Sequence, residues 1–227
     1  MPYKIITPAT GEQISLVQAR EHLLIYFDGD SPGDYPDDSW LNGVGIPAAR
    51  QHCEEWLKRS LAPQTIELAL DSFPGARLNG GLGVTALDYA TYSYPAAAAI
   101  ELHMGPVTAL TSVKYIDGDG VEQTMAGAGY VFDNYNEPAR VVLAANTAWP
   151  TTKVVPNAVK VRYVAGYDLP ADSPQTNPLP YAIRAAMLLV LSDLFEQRGN
   201  AAERQLYEVP LGVCSLLRPY QLRLSMA

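Results

Sequence analysis

The spacing of apolar positions changes period twice along this chain. Between Pro180 and Gly199 the run PYAIRAAMLLVLSDLFEQRG sets Ile183, Met187, Val190, Leu191, Leu194 and Phe195 at helical intervals. Pro180 stands where a helix can begin, and Gly199, directly after Arg198, where one stops. Every residue from Ala185 to Leu191 is apolar, which predicts a core helix buried on all sides. Arg184 and Asp193 bracket that run too closely for a membrane span. Near the N-terminus, Ser15-Leu16-Val17-Gln18 is a capping box. It predicts a short helix with Leu16, Ala19, Leu23 and, at its margin, Leu24 turned inward. A second helical region from about Asp38 carries Trp40, Leu41 and Val44, then Ala49, Cys53, Trp56 and Leu57. Pro47 either kinks that helix or starts its second half.

From Gln64 the period drops to two. In QTIELALDSF, Ile66, Leu68 and Leu70 alternate with Thr65, Glu67 and Ala69, which reads as a strand. IELHM, TSVKYI, Tyr130–Asp133, Arg140–Ala144 and Ala158–Ala165 follow as further strands. Asp117-Gly118-Asp119-Gly120 is a hairpin signal between two of these runs. In AVKVRYVA, Val159, Val161, Tyr163 and Ala165 share one face, which should be buried. Residues 75–99, rich in Gly, Ala and Tyr, have no clean period and read as a long surface loop. Residues 168–180, DLPADSPQTNPLP, form a proline-rich connector. After the long helix, short helical pieces are interrupted by Pro210 and Pro219.

These elements predict an α+β chain: a helical bundle with an inserted β-rich block, either an antiparallel sheet or a small barrel. The expected boundaries are a helical part over 1–63, the β-rich block over 64–167, and a helical part over 168–227 that shares one core with 1–63.

Composition narrows the function. Hydrophobic residues make up 48% of the 227 and charged residues 18%, which excludes a disordered chain and leaves a lightly charged exterior, part of it expected to meet partners. The formal net charge of −8 argues against a grip on nucleic-acid phosphates. The opening MPYKIITPATGEQ lacks the apolar core of a signal peptide. With no membrane-spanning stretch either, work in the cytoplasm, or in something assembled there, is expected. Cys53 and Cys214 read as lone core thiols.

Candidate chemistry is sparse. His22, His52 and His103 are scattered, so no metal site is expected. Asp28-x-Asp30-x-Pro32-Gly33-Asp34 has proline where a calcium loop needs a ligand, and Ser39 where it needs a glutamate, so it reads as a solvated acidic turn. Turn chemistry accounts for Asp117 and Asp119. Gly80-Gly81-Leu82-Gly83 is neither a dinucleotide fingerprint nor a P-loop. There is no nucleophile elbow or recognisable triad motif. A glycosidase-like carboxylate pair across a cleft is not readable from sequence and stays open. No cofactor and no catalytic residue are expected. Tyr89, Tyr92 and Tyr94, clustered in one loop, fit a protein interface.

Several phrases, taken in order, resemble one family. They are Ile6-Thr7-Pro8 followed by Ser15-Leu16 and Ala19, then AARQHCEEWLKRSL with QTIELALDSFP directly after it. IELHMGPVTALTSVKYIDGDGVEQT, PARVVL, Trp149-Pro150 and AVKVRYVAGY follow, then the helix after Pro180 and the ending VPLGVCSLLRPY. Together they resemble the head–tail connector (adaptor) proteins of tailed bacteriophages and of related prophage and gene-transfer particles, over nearly the whole chain. Residues 28–37 and 75–99 are insertions relative to that pattern. Gly43, Gly45 and Pro47 fall where the family keeps an uninterrupted helix.

The resemblance implies a structural virion protein without catalytic residues, assembled in the host bacterial cytoplasm. Such a protein forms a homo-oligomeric ring, expected to be twelvefold, docked under the portal protein. The ring extends the DNA channel and carries the stopper or tail-completion proteins. Genome DNA passes its lumen without specific binding, and no membrane is involved. Loops 28–37 and 75–99, with Tyr89, Tyr92 and Tyr94, are expected to contact neighbouring rings. The locally positive tail around Arg218, Tyr220 and Arg223 is expected to reach the portal. The alternatives are another neck or tail-completion protein, a phage accessory carbohydrate-binding or hydrolytic protein, and a plain bacterial α+β protein with an unknown ligand.

Overall fold

The computed structural model describes residues 3–25, 35–74, 99–172, 174–196 and 211–222. Helices and antiparallel sheets are both present, giving an α+β fold. The chain divides into two compact units, Met1–Pro8 with Gln64–Gly166, and Ala9–Pro63 with Tyr167–Ala227.

The first unit is built of strands β1 (Tyr3–Thr7), β2 (Gln64–Leu70), β3 (Ile100–Leu102), β4 (Val107–Ile116), β5 (Glu122–Thr124), β6 (Tyr130–Asp133), β7 (Ala139–Leu143) and β8 (Val159–Ala165). They make a five-stranded sheet in the order β1-β2-β8-β4-β5 and a three-stranded sheet in the order β3-β7-β6. The pairings within both sheets are antiparallel. Alternation dictates the core. Ile66 and Leu68 of β2 stand opposite Tyr163 and Val161 of β8, and all are fully buried. Leu102 and Val141 of the smaller sheet join the same apolar cluster. The Tyr163 hydroxyl donates to the His103 carbonyl at 2.9 Å, so the one polar atom of this buried ring is satisfied. On the other face of the larger sheet, Arg162 donates to Glu67 at 2.7 Å. Glu122 accepts from Lys114 at 2.9 Å and from Lys160 at 3.2 Å.

Two strands are only implied by the sequence pattern, β1 as an extended start and β5 as the return arm of the Asp117–Gly120 hairpin. β1 begins a stretch expected to be helical over 1–63, yet it pairs with β2. Tyr3 and Ile5 fall in register with Leu68 and Ile66, so the backbone of this extended start is satisfied in the sheet. β5 is wholly polar and exposed, and exists because the Asp117–Gly120 turn folds it back on β4.

The second unit is helical. In α1 (Leu16–His22), the Ser15 Oγ accepts from the Gln18 N–H and the Gln18 Oε1 accepts from the Ser15 N–H, closing the capping box. Leu24 is not inward: the helix has ended, its φ is 55°, and its side chain is exposed. α2 (Asp38–Trp40) runs through a π-helical turn, Leu41–Gly45, into α3 (Ile46–Leu57). Pro47 has no N–H to give the carbonyl one turn back, and the chain takes the wider i→i+5 closure, with Ile46 N–H on the Leu41 carbonyl. Within this wider turn the rotation per residue changes, and Val44 is exposed rather than inward.

α4 (Tyr181–Glu196) starts directly after Pro180, whose carbonyl accepts from the amides of Ile183 and Arg184. Ile183, Ala186, Met187, Val190 and Leu191 are buried in one cluster with Ala19, Leu41, Ile46, Cys53 and Leu57. The helix is not buried on all sides. Ala185 is exposed, and so are Tyr181, Leu189 and Leu194. Its neighbours in the core take up one side only, and apolar residues occupy the other side as well. α5 (Leu211–Leu217) follows Pro210 and buries Val213 and Leu217. A 3-10 turn, Arg218–Tyr220, comes next.

Polar groups fix the segments between these helices. The Gln13 side-chain amide donates to the carbonyls of Leu61, Asp168 and Tyr167 at 2.7, 3.1 and 3.3 Å. Glu54 accepts from the Leu61 amide at 2.8 Å and from Arg50 at 2.9 Å, and Arg50 also donates to Glu12 at 2.8 Å. Burial pushes the Glu54 carboxyl up despite these partners. In the connector, the Asp168 carboxylate accepts from the amides of Asn177 and Thr176, both at 2.6 Å. Those bonds hold it below the usual carboxylate range.

Gly45 sits against α4. A Cβ there would lie 2.6 Å from Trp40 and 3.0 Å from Leu191, whereas one on Gly43 would meet nothing within 4 Å. Gly45→Ala should lower the unfolding free energy by about 1–3 kcal/mol through overpacking. Gly43→Ala should be neutral or stabilise by up to about 1 kcal/mol. Denaturant titration of both variants decides, and equal effects would refute this packing account. Asp168 generates a pH dependence. Its folded pKa lies below its unfolded value, so its stabilisation is present above the unfolded pKa and disappears as pH falls through the folded one. Asp168→Asn should therefore be less stable than the parent at neutral pH, with the gap closing below about pH 4.

Candidate assembly surfaces

No group of His, Cys, Asp or Glu that could hold a metal occurs among the described residues. His22 and His52 are exposed on different helices, while His103 is buried in the β unit. Cys53 is buried in α3, and burial pushes its thiol up to about 12, so it stays protonated and inert. Cys214 is half-buried in α5. Asp117 spends its carboxylate on its own turn, accepting from the amides of Val121 and Asp119 and from the Gln123 side chain. The Gln123 bond comes first among the causes that hold it low. Among the described residues, no helix is long and apolar enough to cross a membrane.

The surfaces expected to meet partners are placed unevenly. Tyr89, Tyr92, Tyr94 and Arg223 lie outside the described residues. Of the 28–37 loop, only its end is described. There the Arg20 guanidinium lies over the Tyr35 ring at 3.8 Å and pairs with Asp38 through its Nε at 2.7 Å. This contact ties the end of the loop to α1.

Arg218 and Tyr220 belong to a segment folded against the end of α3. The Tyr220 carbonyl accepts from Arg59 Nε at 2.5 Å, and the Leu222 amide donates to the Leu57 carbonyl at 3.1 Å. The Gln221 side chain donates to the Trp56 carbonyl at 3.2 Å. The last two bonds serve carbonyls at the end of α3 that have no partner within the helix. The Tyr220 ring packs on the helical core, while Arg218 is exposed. The segment thus offers one outward cation on a fixed backbone.

Other surfaces escaped the sequence reading. Tyr135 is 98% exposed at the tip of the β6–β7 hairpin. Asp133 organises that tip by accepting from the Tyr135 amide, Asn136 and Arg140. A fully exposed tyrosine on a fixed turn is the kind of side chain that anchors an interface. The outer side of α4 shows Tyr181, Ala185 and Leu189 at intervals of one turn. β1 exposes all its residues.

No protein-family model matches the chain, and no curated protein matches it. Its fold is that of chains in solved gene transfer agent (GTA) particles. It is similar to a chain in the neck of an empty GTA particle computed with C6 symmetry, at a TM-score of 0.69 and 20% identity, covering 100% of this chain and 99% of that one. It is similar at the same identity and coverage to a chain in the virion of the native GTA particle, at a TM-score of 0.66. For a chain in the neck of the native particle computed with C12 symmetry, the TM-score is 0.64. The likeness is one of fold, and it spans both units.

Stability separates the two tail residues. Tyr220→Ala removes a ring packed on the core and should cost about 1–3 kcal/mol, whereas Arg218→Ala should stay within about 0.5 kcal/mol of the parent. Thermal unfolding of the two variants tests this assignment, and a large loss in Arg218→Ala would contradict it.

Proposed function

We propose that this chain is a structural, non-enzymatic protein of the neck of a phage-like particle. More narrowly, it is the subunit of a head–tail connector (adaptor) ring under the portal. The observation that carries the reading is the full-length likeness to neck chains of a gene transfer agent particle, 100% of this chain against 99% of that one. The ordered series of sequence phrases supports it independently, because it reaches the connector family without the fold.

The chemistry of the chain suits the role. A ring needs two unlike faces on every subunit. A surface with few charges and with exposed apolar side chains on α4, β1 and the β6–β7 tip can supply them. A net charge of −8 around a channel favours sliding of DNA over retention. In this reading the ring is twelvefold and carries the stopper or tail-completion protein on its far side. Arg218, Tyr220 and Arg223 face the portal, and Tyr89, Tyr92 and Tyr94 face a neighbouring ring. Assembly takes place in the host cytoplasm and the product is part of the virion.

The test is to mix the chain with the portal protein of its own particle and image the mixture by electron microscopy. A second ring stacked coaxially on the portal is expected, with its symmetry read directly. Portals left bare, at protein concentrations well above micromolar, would place the chain lower in the neck instead. Absence of the chain from intact particles as well would defeat the structural reading altogether.

A further inference from the structure

We propose that β1 is the element through which one copy of this chain joins the next, its free edge carrying the five-stranded sheet across the subunit boundary. The inference rests on the ring reading and names a contact that such a ring would use. Among the described residues, β1 pairs with β2 on one side only. Its other side presents a row of peptide N–H and C=O groups that a further strand can take up.

Edge strands are usually blunted by charge, proline, shortness or a covering segment. β1 is five residues long, and all of them are exposed. Its one charge, Lys4, lies opposite Glu67 within its own sheet. Its large apolar side chains are uncovered: Tyr3 is 43% exposed, Ile5 44% and Ile6 38%. Tyr3 and Ile5 are in register with Leu68 and Ile66, which are fully buried. The core-facing apolar surface of the sheet therefore runs on to its edge, where its side chains are exposed and no described segment covers them. A register shift between Ile5 and Thr7 leaves Ile6 as the extra residue of a bulge.

The occupant is a second copy of this chain. The far edge of the same sheet, β5, is short and polar, with Glu122 held by Lys114 and Lys160. One apolar and one polar edge make the sheet asymmetric, and a head-to-tail contact joins unlike faces. Pairing of β1 with another β1 would close a two-fold dimer instead. Area points the same way. A five-residue strand covers far less than the roughly 800 Å² per partner of a stable interface. The edge cannot hold two free copies together, and it serves where copies are already side by side. The same fold occurs in neck structures computed with C6 and C12 symmetry, in which copies repeat around an axis.

The experiment uses the full chain and the portal protein of its own particle. Hydrogen exchange should slow at least about tenfold over Tyr3–Thr7 on going from the free chain to the assembled ring. Ile5→Lys combined with Ile6→Lys should cut the fraction of ringed portals at least about tenfold, while Val154→Lys, at an exposed site between β7 and β8, should leave it unchanged. Parent rings with unaltered exchange over Tyr3–Thr7 would overturn the β1 contact and leave the ring reading standing. So would undiminished rings from the double variant, or two-fold dimers of the free chain protected over β1. Bare portals with the parent chain would overturn both readings. If the double variant melts early, the exchange comparison on the parent chain decides alone.

Discussion

The buried amide of Gln13 is the polar contact on which the helical unit closes. That unit is assembled from two stretches, Ala9–Pro63 and Tyr167–Ala227, with Gln64–Gly166 of the other unit between them. Something must align the ends of both stretches before the helices can share a core. Gln13 does this from the first stretch by donating to Leu61 at its far end and to Tyr167 and Asp168 at the start of the second. The carbonyls it serves are those of chain leaving or entering regular structure, where the backbone ladders end. Once they are held, the Glu12–Arg50–Glu54 chain and the Asp168 turn fix the flanking loops, and α4 can lie against α3. Contacts across long sequence separations carry a loop-closure cost, and directional bonds at the closing point are where it is offset most specifically.

The sequence was most legible where one physical rule acted alone. β2 and β8 alternate strictly because one face of the sheet is packed and the other carries Glu67, Arg162 and Lys160, so a period of two appeared without interference. The Ser15–Gln18 box was legible because a cap is a local device. Legibility failed where tertiary context overrode local preference. β1 reads Tyr-Lys-Ile-Ile-Thr, whose pattern is blurred by a bulge and by exposure on both faces, so it reads as extended chain without announcing a partner. β5 has no apolar residue, and only its hairpin partner makes it a strand. In α3 the proline was visible, but the π-helical turn that accommodates it, and the rotation that exposes Val44, follow from backbone closure rather than from residue type. α4 was read as buried all round because it is apolar all round. Its outer residues are instead a surface that the fold leaves open.

The candidate surfaces show the same division. Metal-ligand and nucleophile-elbow motifs have a spacing that can be looked for in sequence, whereas a carboxylate pair across a cleft has none. Interfaces have no such grammar. Tyr135 gave no signal in sequence because its prominence comes from the Asp133 turn that lifts it. Arg218 was legible as a local positive charge, but its fixed position depends on Arg59, Leu57 and Trp56, all distant in sequence. The order of short phrases along the chain says more about the fold than any single residue does, because order reflects the whole fold.

An acidic, lightly charged chain with several modest apolar patches has a consistent assembly behaviour. Copies carrying −8 each repel weakly at long range, which favours separate molecules in solution. A five-residue edge such as β1 is too small to hold a partner alone. Contacts of this kind become effective when a template fixes the positions of many copies, because every contact after the first is then made at high effective concentration. Under the ring reading, the portal is that template. The weakness of the individual surfaces is then a condition for correct assembly: a chain with one large apolar face would pair with itself before reaching the particle, whereas several small unlike faces close only in the arrangement that satisfies them together.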